Sequence, residues 1–151
     1  MRLVLGQIDI AWEDPAANVR RVGDALRALR PAPGSWVILP EMWATGFSMD
    51  VAATCGAAAH IALEAQRSWA MDLGVRVLGG VASVVDGKPM NRVVGHDAEG
   101  REWLSFAKLH GFSPAHEPSI YQTGSDVVAA EADGCHVAPF ICYDLRFPEV
   151  F

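Results

Sequence analysis

Cysteine is scarce: the 151-residue chain has three, Cys55, Cys135 and Cys142, and no Cys-x-x-Cys pair. That argues against a disulfide framework and against a zinc knuckle, and a reducing cytoplasm is the expected setting. Positive charge is scarce as well, with 12 Lys and Arg against 18 Asp and Glu and a formal net charge of -6. No basic run and no aromatic RNA-binding patch is present, so nucleic acid is excluded as a partner. Long apolar runs are missing: the apolar stretches are strand-sized and interrupted, so no membrane-crossing helix is expected. The opening residues lack the apolar h-region and small-residue cleavage site of a secretory leader. His60, His96 and His116 have no metal-ligand spacing, so neither a metal nor another cofactor is assigned. There is no internal repeat and no low-complexity segment.

What remains is a chain that is 51% hydrophobic. That content excludes disorder, and the length suffices for one domain with a core, taken as residues 1–151. Arg2 to Ile10 reads as a buried strand. Asp14-Pro15 is an N-cap followed by proline at the first helical position. Val19, Val22, Leu26 and Leu29 recur at helical spacing until Pro31-Ala-Pro-Gly34 stops the helix. Ser35 to Leu39 is a second strand. Met42 to Ala58 shows no clean period and reads as a loop over a site. His60 to Leu73 is a second helix, closed by Gly74. Arg76 to Val85, Met90 to Asp97 and Glu102 to Ala107 read as strands, with turns at Asp86-Gly87 and Glu99-Gly100. Leu109 to Gly124 is a long loop. Val127 to Glu131 and His136 to Ile141 flank a third turn, Asp133-Gly134. The expected order is βαβαβββββ, then the start of a helix after Cys142.

Three of these strands end on chemically distinct groups. Glu41 follows Trp36-Val-Ile-Leu-Pro40, Lys108 follows Glu102-Trp-Leu-Ser-Phe-Ala107, and Cys142 follows His136 to Ile141. A reactive side chain at a strand end, before a tight turn, has the shape of a nucleophile elbow. A lone cysteine is more often a small buried hydrophobe, the reading given to Cys55 and Cys135.

Leu39-Pro-Glu41 with Gly46-Phe47, Ala107-Lys108-Leu-His110 and Cys142-Tyr-Asp-Leu-Arg-Phe-Pro148 together resemble the three signatures of the nitrilase, or carbon–nitrogen hydrolase, superfamily. They stand in family order and span nearly the whole chain. The runs around Glu41 and Cys142 are most similar to the omega-amidase, Nit-like branch. The resemblance implies an α/β fold, an α-β-β-α sandwich, of which this chain would hold the front part only. It also implies a homodimer if the domain is complete.

The residue types fit amide hydrolysis. Cys142 would attack the carbonyl and form a thioester. Glu41 would take the thiol proton, deliver it to the leaving nitrogen and then activate water. Lys108 and the backbone N–H of Tyr143 would stabilise the oxyanion. The sequence leaves open whether the thiol rests neutral beside Glu41 or ionised beside Lys108. The family often carries a second glutamate between lysine and cysteine, which places Glu117 as a support that orients Lys108. Trp43, Phe47, His110 and Arg146 are pocket candidates, with a structural hydrogen bond weighed first for His110. Asp144 and Arg146 are expected to pair across the elbow, unless Arg146 meets a substrate carboxylate. Gly111 departs from the apolar residue usual after the histidine.

The expected reaction is hydrolysis of a small amide, an omega-amide of a dicarboxylate such as 2-oxoglutaramate. An N-carbamoyl hydrolase and a nitrilase share the same three groups. A different class is also open. The chain stops at Phe151, where a helix should begin, so an inactive fragment or an association-dependent half-domain is the alternative. A thiol redox protein is disfavoured, because no resolving cysteine stands beside Cys142.

Overall fold

The computed structural model describes residues 2–151. Strand β1 (Leu3–Leu5) passes through helix α1 (Pro15–Leu29) to β2 (Trp36–Ile38). From β2 the chain passes through α2 (Val51–Thr54) and α3 (Ala57–Leu73) to β3 (Arg76–Val85). Both strand pairs are parallel, as helical crossovers require. Strands β4 (Lys88–His96) and β5 (Glu102–Ala107) then add antiparallel, completing a five-stranded sheet in the order β1-β2-β3-β4-β5. A second, two-stranded sheet is the hairpin β6 (Ala130–Ala132) and β7 (Cys135–Val137).

Local chemistry explains these boundaries. Asp14 caps α1 by accepting from Ala17 N at 2.9 Å, and Pro15 needs no partner at the first turn. Gly74 ends α3 at φ 62°, a left-handed conformation that costs glycine little. The Asp86-Gly87 and Asp133-Gly134 turns have φ 49° and 77°, and 53° and 73°. Two consecutive positive φ values mark the tight hairpin turn that such dipeptides favour.

Alternation along the strands makes two apolar layers. Val37, Val77, Val81 and Val94 pack with Val22 and Leu26 of α1 and Ala62 and Ala70 of α3. On the opposite face Trp36, Leu78 and Leu104 pack with Ala132 of β6 and Val137 of β7. The described residues thus form a helical layer, a full sheet and a short second sheet, three layers of the expected sandwich. No helix among them is long and apolar enough to cross a membrane.

Several sequence expectations need correction. The run Arg2 to Ile10 pairs as a strand only over Leu3–Leu5, and Leu3 and Leu5 are exposed rather than buried. β1 is an edge strand, and its pleat turns Val4 towards the helices and its two leucines away from them. The segment read as a loop from Met42 to Ala58 contains α2, capped by Asp50, and the first two residues of α3. The last strands are shorter than read, so residues 138–141 carry Cys142 on unpaired backbone. The turn after them is a 3-10 helix, Cys142–Arg146.

Candidate functional site

Glu41 sits on a turn pressed against β3. Leu39 N still donates to Leu78 O at 2.8 Å, but Pro40 has no N–H to continue the ladder. The chain then reverses through Met42 at φ 46°. Gly80 N donates to Pro40 O at 3.1 Å, and Trp43 N donates to Gly80 O at 3.2 Å. A Cβ on Gly80 would stand 2.6 Å from Glu41 Cα, so only glycine permits this approach. Asn18 of α1, fully buried, steadies the same turn by donating to Ala44 O at 2.8 Å.

Lys108 lies one residue beyond β5, its N–H donating to Asn91 O at 2.9 Å. Its ammonium bridges two carboxylates, Glu41 Oε1 at 2.7 Å and Glu117 Oε2 at 2.8 Å. The Lys108 and Glu117 side chains are 2% and 1% exposed, whereas that of Glu41 is 19% exposed. Burial alone would lower the Lys108 pKa, but hydrogen bonds and charge from Glu117 and Glu41 outweigh it and hold the value above the ordinary one. Glu117 is pinned further by Phe112 N, which donates to Oε2 at 2.6 Å. An ammonium has three hydrogens, so two bonded carboxylates leave one for another acceptor.

Cys142 has φ 46°, a strained backbone for a residue with a side chain, and it is exposed. Partial desolvation of the thiol against its walls pushes its pKa up. Glu41 pushes the same way, by charge and as a hydrogen-bond acceptor, against a smaller lowering by Lys108. Two cavities meet at this residue. One, of about 290 Å³, runs between Glu41, Gly80, Val93 and Phe140. The other, of about 330 Å³, is lined by Phe47, Phe112, Tyr143, Leu145 and Arg146.

The Cys142 turn is anchored through Asp144, which is fully buried. One Asp144 oxygen accepts from Ile141 N at 3.0 Å, the other from His110 N at 2.7 Å and the His110 ring at 3.0 Å. A carboxylate partner places the ring hydrogen on Nδ1. The His110 ring also stacks on Phe147 at 3.7 Å between centroids.

Glu41, Lys108 and Glu117 therefore form one cluster, and Cys142 shares a cavity with Glu41. Phe47 lies 5.1 Å from the Lys108 ammonium and lines the second cavity. The Tyr143 N–H opens the 3-10 turn with no acceptor among the described residues. His110 lines neither cavity and binds Asp144 instead. Arg146 lines the second cavity but makes no ion pair among the described residues. The expected Arg146–Asp144 pair is not formed, because both Asp144 oxygens are taken by His110 and Ile141. Trp43 is not a pocket residue either. It is completely buried beside Trp69, over the gap left by Gly79, whose Cβ would lie 2.8 Å from Trp43 Nε1.

Sequence reasoning missed Asn91, which donates to Glu41 Oε1 at 2.7 Å and to Glu117 Oε1 at 2.9 Å. Its signal was a lone amide at a core-facing register of β4, sharing a face with Val93 and opposite Ala82.

The chain is similar to curated proteins and to solved structures. The chain is 30% identical to the omega-amidase YafV of Yersinia enterocolitica over 98% of its own length and 56% of that protein. It is 30% identical to the 2-oxoglutaramate amidase of Bacillus subtilis over 95% of its length and 56% of that enzyme. It superposes with TM-score 0.88 and 30% identity on a Xanthomonas campestris superfamily protein with an arsenic adduct in its active site, covering 98% of this chain and 55% of that one. An amidase from Nesterenkonia sp. shares the fold at TM-score 0.86 and 21% identity, over 99% of this chain and 58% of that one. The chain spans about half the length of the curated relatives it matches. The carbon-nitrogen hydrolase profile matches residues 2–151, and the chain belongs to that family.

Proposed function

We propose that this chain is a cysteine amidohydrolase acting on a small non-peptide amide, an omega-amide of a dicarboxylate such as 2-oxoglutaramate. The observation that carries the reading is the buried Lys108 between Glu41 and Glu117, with Cys142 facing Glu41 across one cavity. The omega-amide rests on the two relatives named for it and on Arg146, which offers a cation to a distal carboxylate in the second cavity.

Cys142 Sγ bonds to the amide carbon while its proton passes to Glu41. The oxyanion is met by the remaining Lys108 hydrogen and the Tyr143 N–H. Breakdown cleaves the C–N bond, and Glu41 returns the proton to nitrogen, releasing ammonia. Water then attacks the thioester with Glu41 as base, freeing the carboxylic acid and restoring the thiol. General base help of this kind contributes about 10²–10⁴ in rate. The raised thiol pKa favours a neutral resting thiol that ionises during attack.

The test is ammonia release from a panel of small amides, 2-oxoglutaramate among them. Cys142→Ala and Glu41→Gln should both abolish it. Glu41→Gln also removes a negative charge that raises the Cys142 pKa, so iodoacetamide should modify Cys142 faster near neutral pH. Full activity in either variant overturns the assigned roles. A second reading, an association-dependent half-site, is favoured by Leu5 and Leu145, which are 72% and 75% exposed. No release from folded wild-type chain would overturn the first reading and favour the second.

A further inference from the structure

We infer that Asn91 is a positioning residue that decides which oxygen of Glu41 is left to act as the base. The inference rests on the amidohydrolase reading for its kinetic consequence, but its geometry stands alone.

Asn91 Nδ2 has two hydrogens and two acceptors, Glu41 Oε1 at 2.7 Å and Glu117 Oε1 at 2.9 Å. Lys108 uses the same Glu41 oxygen at 2.7 Å and the other Glu117 oxygen, Oε2, at 2.8 Å. Glu41 Oε1 is therefore held by two donors, while Oε2 accepts from no donor nitrogen among the described residues. Oε2 is the oxygen free to take the Cys142 proton and later the proton of water. Without Asn91, Glu41 would turn about a single bond to Lys108, and either oxygen could face the thiol.

The identity of the residue matters as much as its reach. A single ammonium stands beside two carboxylates, and Asn91 adds two donors to that cluster without adding charge. A second cation would oppose the transfer of a proton to Glu41, and an acid would add a third repelling group. Asn91 is 1% exposed, and its own Oδ1 finds no partner. Turning the amide over would set Oδ1 against both carboxylates, so the orientation is fixed by the neighbours. A buried, half-satisfied amide is a stability liability. Its two donated bonds are what the site gains from it.

The experiment compares wild type with Asn91→Asp, which keeps the shape and exchanges the donor for an acceptor, and with Asn91→Ala. In both variants kcat for ammonia release should fall about 10- to 100-fold while KM stays within about threefold, the loss expected when an aligned base is misplaced. The acid limb of the pH–rate profile should move to higher pH, since Glu41 loses a donor while still facing Glu117, Lys108 and Cys142. A crystal structure of Asn91→Asp should show Glu41 no longer holding Oε1 towards both Lys108 and residue 91. Unchanged kcat and acid limb in folded Asn91→Asp overturns the inference. If wild type itself releases no ammonia, the amidohydrolase reading fails separately. The Asn91→Asp structure then decides alone: an unmoved Glu41 overturns the positioning role, and a rotated one supports it.

Discussion

Glu41, Lys108 and Glu117 are held by the large sheet and the loops pressed on it, whereas Cys142 stands on an arm with little paired backbone. The first wall is dry except at Glu41: Lys108, Glu117 and Asn91 are at most 2% exposed, and the Glu41 side chain is 19% exposed. The arm, residues 126–151, has as regular structure only the three-residue strands β6 and β7 and two 3-10 turns. Its Leu145 is 75% exposed. The difference follows from what each wall must do. Buried charges are stable only with complete partners, and a sheet fixes those partners best. In the proposed role of nucleophile Cys142 needs access, and its φ of 46° is a backbone that a regular strand would not allow. The arm is tied down at separate points instead: Asp133 to Arg76, Asp144 to His110, and Phe140 edge-on to Phe106 at 5.8 Å.

Breaking the dry wall should have the largest effect. Lys108→Met leaves Glu41 and Glu117 without their cation, and losing one partner of a buried pair costs about 3–5 kcal/mol. Urea unfolding should show that loss together with the end of turnover. A variant that stayed as stable as wild type would mean that water already reaches the cluster. Gly80→Ala tests the same wall more finely. The new Cβ would meet Glu41 Cα at 2.6 Å and Met42 N at 2.8 Å, both backbone atoms that cannot swing aside. The expected cost is about 1–3 kcal/mol of stability. A displaced Glu41 should lower kcat by about 10²-fold in protein that remains folded. Steady-state kinetics beside a melting curve separate the two effects.

The same contrast decides what the sequence could reveal. Glu41, Lys108 and Cys142 were legible as a set of candidates because each follows an apolar run and resembles a family signature. The Asp86-Gly87 and Asp133-Gly134 turns were legible because few dipeptides accept two positive φ values. Trp43 was not, since its direction depends on the gap at Gly79, on a strand distant in sequence. Asn91 was hidden for the same reason: its meaning lies in two glutamates that reach it from separate loops. Strand lengths on the arm were overread because apolar content around Phe140 and Ile141 serves packing on the sheet, not pairing. Local rules reach turns and caps; contacts between distant strands need the fold.

The smallest effect should come from loosening the arm, and it gives the sharpest sign. Asp133 accepts from Arg76 Nε and Nη2, each at 2.9 Å, and from Trp36 Nε1 at 2.8 Å. The Arg76 guanidinium also lies 5.1 Å from the Trp103 ring centre. These partners, Arg76 first and then Trp36, pull the Asp133 pKa from 3.8 down to about 2. Its side chain is 43% exposed, so solvent screens the pair. Asp133→Asn keeps a residue that tolerates φ 53° and removes the charge together with one of the two accepting oxygens. The expected loss is within about 1 kcal/mol near neutral pH. A depressed carboxylate stabilises the fold above its unfolded pKa, and that contribution disappears as pH falls through about 2. The stability curves of wild type and Asp133→Asn should therefore lie apart at neutral pH and converge in acid, measured by urea midpoints across pH. A gap that persists at low pH would assign the arm's hold to the shape of the turn instead of its charge. Because the dry wall is untouched, any fall in ammonia release would then report the placement of Cys142 alone.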